Sequence, residues 1–164
     1  MSVQYKKILV TLDGSDFAAQ ALPHAQMLAH ALEAELILFR AVSEVEVESH
    51  PSDIVGMFIN VKEPMEEAAE ISERKQIQVI TAAERELEAL IQPEGRQGIQ
   101  PQIVVEVGKP AECILEYTQH HEVDLIVMST HGRSGLSHLV YGSVAEEVLH
   151  KSRCPVLLVR PSKA

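Results

Sequence analysis

Five short apolar runs, each ended by turn residues and separated from the next by a longer segment, decide what this chain can fold into. They are Ile8-Leu9-Val10, Glu35 to Val42, Gln102 to Glu106, Val123 to Met128 and Pro155 to Val159. Runs that stay apolar on successive residues, without polar alternation, suit strands buried on both faces. Between them the periodicity changes. Ala18, Ala21, Leu22, Ala25, Leu28, Ala29 and Leu32 recur at helical spacing between Asp16 and Glu33. Pro23 falls inside that pattern and either bends the helix or marks its true start. Pro64 to Ile91 reads as a long helix with proline at its first position and one wet face. Pro110 opens a helix reaching about His121, and Gly142-Ser143 opens the last one, ending near Ser152. The order β-α-β-α-β-α-β-α-β predicts a five-stranded parallel sheet with helices on both faces; strand order 3-2-1-4-5 is the arrangement expected for it.

At 164 residues the chain has room for one domain with a substantial core, spanning 1–164. The exception to the pattern is an excursion at about 43–63. There Glu44, Glu46 and Glu48 alternate with Val45 and Val47 ahead of His50-Pro51. It reads as a lid-like loop or as an acidic loop without a role. With 24 acidic against 14 basic residues the net charge is −10, which argues against nucleic acid and against anionic membrane surfaces. No stretch approaches a membrane span, and the apolar run behind Lys6-Lys7 stops at Asp13, short of a secretory signal. A cytoplasmic protein is expected, with Cys113 and Cys154 as reduced thiols.

In a sheet of this kind, ligands sit beyond the carboxyl ends of the strands, where the winding reverses. Three segments follow carboxyl ends: Thr11 to Ser15, Arg40 to Ser43, and Met128 to Ser143. The last holds Gly132, Gly135 and Gly142 and runs into a helix start, where unpaired N–H groups and the positive dipole end suit an anion. On spacing alone it is either a phosphate site or a flexible loop with a glycine-assisted helix start. It is not a Walker A loop, since Gly108-Lys109 is followed by Pro110. Nor is it the G-x-G-x-x-G fingerprint, since Leu12-Asp-Gly-Ser-Asp16 has a single glycine. His120, His121, His131 and His138 show no ligand spacing, so no protein-built metal site is expected.

Several stretches in order carry a family resemblance: Ile8-Leu-Val-Thr-Leu-Asp13-Gly-Ser15, Gly108-Lys-Pro-Ala-Glu-Cys-Ile-Leu115, Val123-Asp-Leu-Ile-Val-Met128, Gly142-Ser-Val-Ala-Glu-Glu-Val-Leu149 and Cys154-Pro-Val-Leu-Leu-Val159. The sequence resembles the universal stress protein family, which implies a Rossmann-like, adenine nucleotide alpha hydrolase-like fold. The nucleotide-binding branch carries G-x2-G-x9-G-[ST]. Here Gly132, Gly142 and Ser143 occupy the later positions, and Ser129 replaces the first glycine. The resemblance implies that ATP or another adenine nucleotide binds, with magnesium carried by its phosphates. Asp13, with Thr11 and Leu12, would meet the adenine or ribose side. Val42, or Ala41 beside it, would lie against the adenine, with Met128 and Ser129 at base and ribose. His131, Gly132, Arg133, Gly142, Ser143, Val144 and Ala145 would surround the phosphates. The resemblance also implies a homodimer joined through the last strand.

No catalytic residue follows from the sequence. Asp13, His131 and Arg133 are near the expected site, and Ser134 and Ser137 lack a hydrolase setting such as G-x-S-x-G. The leading expectation is an ATP-binding stress or regulatory protein acting as a nucleotide-dependent switch. Two readings stand beside it: a nucleotide-free dimeric interaction module, and a slow ATP hydrolase.

Overall fold

A computed structural model of the chain describes residues 4–43, 65–91, 100–130 and 141–161, with side chains from residue 72 onward in the second stretch. The elements are β1 (Lys7–Thr11), α1 (Asp16–Ala19), α2 (Leu22–Leu32), β2 (Glu35–Val42), α3 (Met65–Leu90), β3 (Gln102–Val107), α4 (Pro110–His120), β4 (Leu125–Ser129), α5 (Ser143–Lys151) and β5 (Val156–Val159). The five strands form one sheet in the order β3-β2-β1-β4-β5, with every pairing parallel. This is the expected order. Val10 sits at the centre, opposite Leu38 on one side and Val127 on the other.

Alternate residues of each strand feed two core layers. On one face Ile8, Val10, Leu36 and Leu38 pack with Ala18, Leu22, Ala25 and Ala29 of α1 and α2, and with Leu87 of α3. On the other, Leu9, Ile37, Phe39, Ile126 and Met128 pack with Ala111, Ile114 and Tyr117 of α4 and with Ala145 and Val148 of α5. Both faces being covered explains why the strands read as continuous apolar runs. Each fully buried Leu, Ile or Phe contributes about 1.5–3 kcal/mol of transfer free energy.

Pro23 marks a start and not a bend. It lies in the first turn of α2, after a break between α1 and α2 at Gln20 and Ala21, and α2 closes at Glu33 in the left-handed conformation (φ 53°). The fourth strand begins at Leu125, two residues later than the apolar run suggests. Asp124 is engaged otherwise, its carboxylate accepting from the backbone N–H groups of Lys6 (2.7 Å) and Lys7 (2.8 Å) at the entry to β1. The excursion expected at about 43–63 lies outside the described residues apart from Ser43, and Pro64 lies outside them too.

The first two crossovers run on the α1–α2–α3 face toward β3, and the last two on the α4–α5 face toward β5. Winding therefore reverses between β1 and β4. The carboxyl ends of these two adjacent strands are where a ligand crevice forms in such a sheet.

Candidate functional site

The chain leaving β1 is fixed by a local network. The Asp13 carboxylate accepts from Ser15 twice, from its backbone N–H (2.9 Å) and its hydroxyl (2.6 Å). Ser15 Oγ in turn accepts from the Ala18 N–H (3.1 Å), capping α1. Gly14 between them has φ +82°, a conformation that costs other L-residues about 1–2 kcal/mol. The Asp13 carboxylate is thus held in place by the turn that carries it.

Thr11, Leu12 and Asp13 border a cleft of about 300 Å3, with Phe39, Ala41 and Ser43 from the end of β2 and Met128, Ser129 and Thr130 from the end of β4. Val42 does not line it. Strand alternation turns Val42 to the opposite face, where it is buried with Val79 and Ala83 of α3. Of the two residues expected there, Val42 or Ala41 beside it, Val42 is thus set away from the cleft. Ala41 faces the cleft, because it shares a side of β2 with Ile37 and Phe39.

At the β4 end, Thr130 donates its backbone N–H to the Val159 carbonyl (2.9 Å) and accepts at its own carbonyl from the Gly142 N–H (2.7 Å). The second bond brings the start of α5 back beside the strand that the loop left. Gly142 is the N-cap, and the Glu146 N–H donates to its carbonyl (2.9 Å). Gly142, Ser143, Val144 and Ala145 all line the cleft. The amides of a first helical turn have no intrahelical acceptor, and they carry the positive end of the helix dipole. Gly142 stands at φ −71°, ψ 155°, which any residue adopts. Its conformation does not require glycine. His131, Gly132 and Arg133 lie outside the described residues.

The remaining wall was not anticipated. Pro110 and Ile114 from the first turns of α4, together with Phe39 and Ala18, make much of the apolar lining. One signal was available: Pro110 opens a helix directly after β3, which places that first turn at the carboxyl edge. Behind this wall Gly108 (φ +153°) leaves no room for a side chain, since a Cβ there would stand 2.8 Å from Cys113 Sγ. Burial, and next the carboxylates of Glu106 and Glu116, push the Cys113 thiol above its ordinary pKa. Burial likewise raises the Glu106 carboxyl, against a lowering by His121. Cys113 is a packing thiol and not an activated nucleophile. Among the described residues no group of three His, Cys, Asp or Glu side chains could hold a metal ion.

A doubly wound parallel sheet with an apolar cleft at its reversal point, closed on one side by a helix start, is a Rossmann-like α/β architecture. The chain belongs to the universal stress protein family, whose profile matches residues 4–160. It is 31% identical over 160 residues to universal stress protein MJ0577 of Methanocaldococcus jannaschii, covering 98% of each chain. It is also 31% identical over 156 residues to universal stress protein YxiE of Bacillus subtilis, covering 95% of this chain and 99% of that one. The solved structure of MJ0577 superposes with a TM-score of 0.65 over 99% of this chain and 100% of that one. A universal stress protein solved in complex with cAMP, 23% identical, shares the fold with a TM-score of 0.59 over 98% of this chain and 100% of that one.

Proposed function

We propose that this protein binds an adenine nucleotide, ATP foremost, in the cleft between the ends of β1 and β4, and acts as a nucleotide-dependent switch in a stress or regulatory response. One observation carries the reading. The first turn of α5, the Asp13–Ser15 turn and a contiguous apolar wall converge on one cleft of about 300 Å3, within the range of small-molecule sites. The wall of Ala41, Pro110, Ile114 and Met128 suits a flat heteroaromatic base. Asp13, an oriented acceptor, suits ribose hydroxyls, with Thr11, Leu12 and Ser129 beside it. The amides of Ser143, Val144 and Ala145 and the Ser143 hydroxyl suit phosphate oxygens. His131, Gly132 and Arg133 complete the phosphate side, and magnesium enters on the phosphates and not on a protein cluster. The relative solved with cAMP supports an adenine ligand for this architecture.

A cytoplasmic location is part of this proposal, resting on the reduced state expected of Cys113 and Cys154. The protein works as a homodimer paired through β5, an edge strand whose Leu157 and Leu158 are only half-buried. Native mass spectrometry of the purified protein tests both statements of composition. The expected result is a dimer mass carrying bound ATP, ADP or AMP that dialysis removes and ATP restores. A nucleotide-free protein that ATP leaves unchanged contradicts the ligand, and a monomer contradicts the assembly.

A further inference from the structure

Arg40 is the buried charge of β2, whose other charged residue, Glu35, is exposed at the strand's start; the Arg40 side chain is only 8% exposed. It points to the α3 face, where its guanidinium pairs with Glu86 of α3, itself 59% exposed. Its Nε is buried with no hydrogen-bond partner. A half-satisfied buried arginine is a poor source of net stability, because desolvation offsets most of the attraction. Its position suggests what it does instead. A Cβ placed on Gly14 would lie 3.3 Å from both terminal nitrogens of Arg40, so the guanidinium lies over Gly14, beside the place where a side chain would start. A line of neighbours therefore runs from Glu86 through Arg40 to Gly14. From there it reaches Asp13 and Ser15, which fix each other and cap α1.

We infer that the Arg40–Glu86 pair is a strut that ties the cleft turn to α3, so that occupancy of the cleft and docking of α3 stabilise each other. Arg40 is a positioning residue, since it acts on Asp13 through the turn and does not line the cleft. Glu86 shares its side of α3 with Val79, Ala83 and Leu87, which dock the helix on the sheet. By reciprocity, whatever a cleft ligand gains from an ordered turn is returned to α3 as protection against opening. The strut itself stands without any ligand; only its coupling to occupancy rests on the nucleotide reading.

Hydrogen exchange of the full chain, with and without ATP, tests this in the parent and in Glu86→Ala, an exposed helix position where alanine keeps the fold. Without ATP, Glu86→Ala is expected to speed exchange in residues 13–19 by about fivefold, leaving β4 unchanged. Glu86→Gln, which keeps an acceptor, is expected to recover part of the protection. No change in residues 13–19, or an equal rise in β4 that marks global loosening, overturns the strut. With ATP, the parent is expected to gain protection at residues 79–90 and Glu86→Ala to lose that gain. ATP that binds by calorimetry without protecting α3 overturns the coupling. ATP that does not bind the parent contradicts the proposed function instead, and the ligand-free comparison then decides the strut by itself.

Discussion

The two glycine turns that face each other across the cleft use glycine for different reasons. At Gly14 the backbone is left-handed and the Arg40 guanidinium lies 3.3 Å from where a side chain would begin. At Gly142 the backbone is extended, and the residue simply caps α5 beside the cleft. The first glycine serves the fold; on the proposed reading the second serves what enters the cleft. A side chain at Gly14 should therefore show in stability, and one at Gly142 should show in binding with stability nearly intact.

Gly108 marks the extreme of the Gly14 type, since strain and collision with Cys113 coincide there. Gly108→Val is expected to lower unfolding free energy by about 3 kcal/mol, read by urea denaturation. Gly14→Val is expected to cost about 2 kcal/mol, from the left-handed backbone and displacement of Arg40. Gly142→Val should cost under about 1 kcal/mol, the scale of an altered helix cap. If Gly142→Val destabilises as much as Gly14→Val, the division between the two turns fails. The smallest effect concerns the thiol behind Gly108. In the native parent an alkylating reagent at neutral pH is expected to modify the half-buried Cys154 and spare the buried Cys113. Raising pH toward the ordinary thiol pKa should not bring Cys113 into reaction, because its pKa lies above that value. Peptide mapping of the modified protein checks it, and early labelling of Cys113 would mean that the wall opens.

Strand number and a parallel sheet covered on both faces were legible because buried parallel strands leave unbroken apolar runs. That same property hid the facing of individual residues. Along Leu36-Ile-Leu-Phe39 both faces are apolar, so nothing in the sequence distinguished Ala41 from Val42, and only the register against β1 and β3 assigns them. The pairing of Arg40 was invisible in the sequence, because its partner Glu86 lies 46 residues away on α3. Pro110 was read only as opening a helix and Ile114 was given no role, since the cleft wall they form exists only once α4 packs over β2. The single glycine of the first turn was noted only as failing a dinucleotide fingerprint. Its dihedral angle and its contact with Arg40 are tertiary facts.

Calorimetric titration of ATP into the parent and into Gly142→Val, with circular dichroism as the folding control, tests the central claim most directly. The first turn of α5 is held to cradle phosphates through its backbone, so a β-branched side chain at its cap displaces them. The expected result is measurable ATP binding by the parent and at least a roughly tenfold weaker affinity, about 1.4 kcal/mol, in a folded Gly142→Val protein. A folded variant that binds ATP as tightly as the parent would contradict the account, because the helix start would then take no part in holding the ligand.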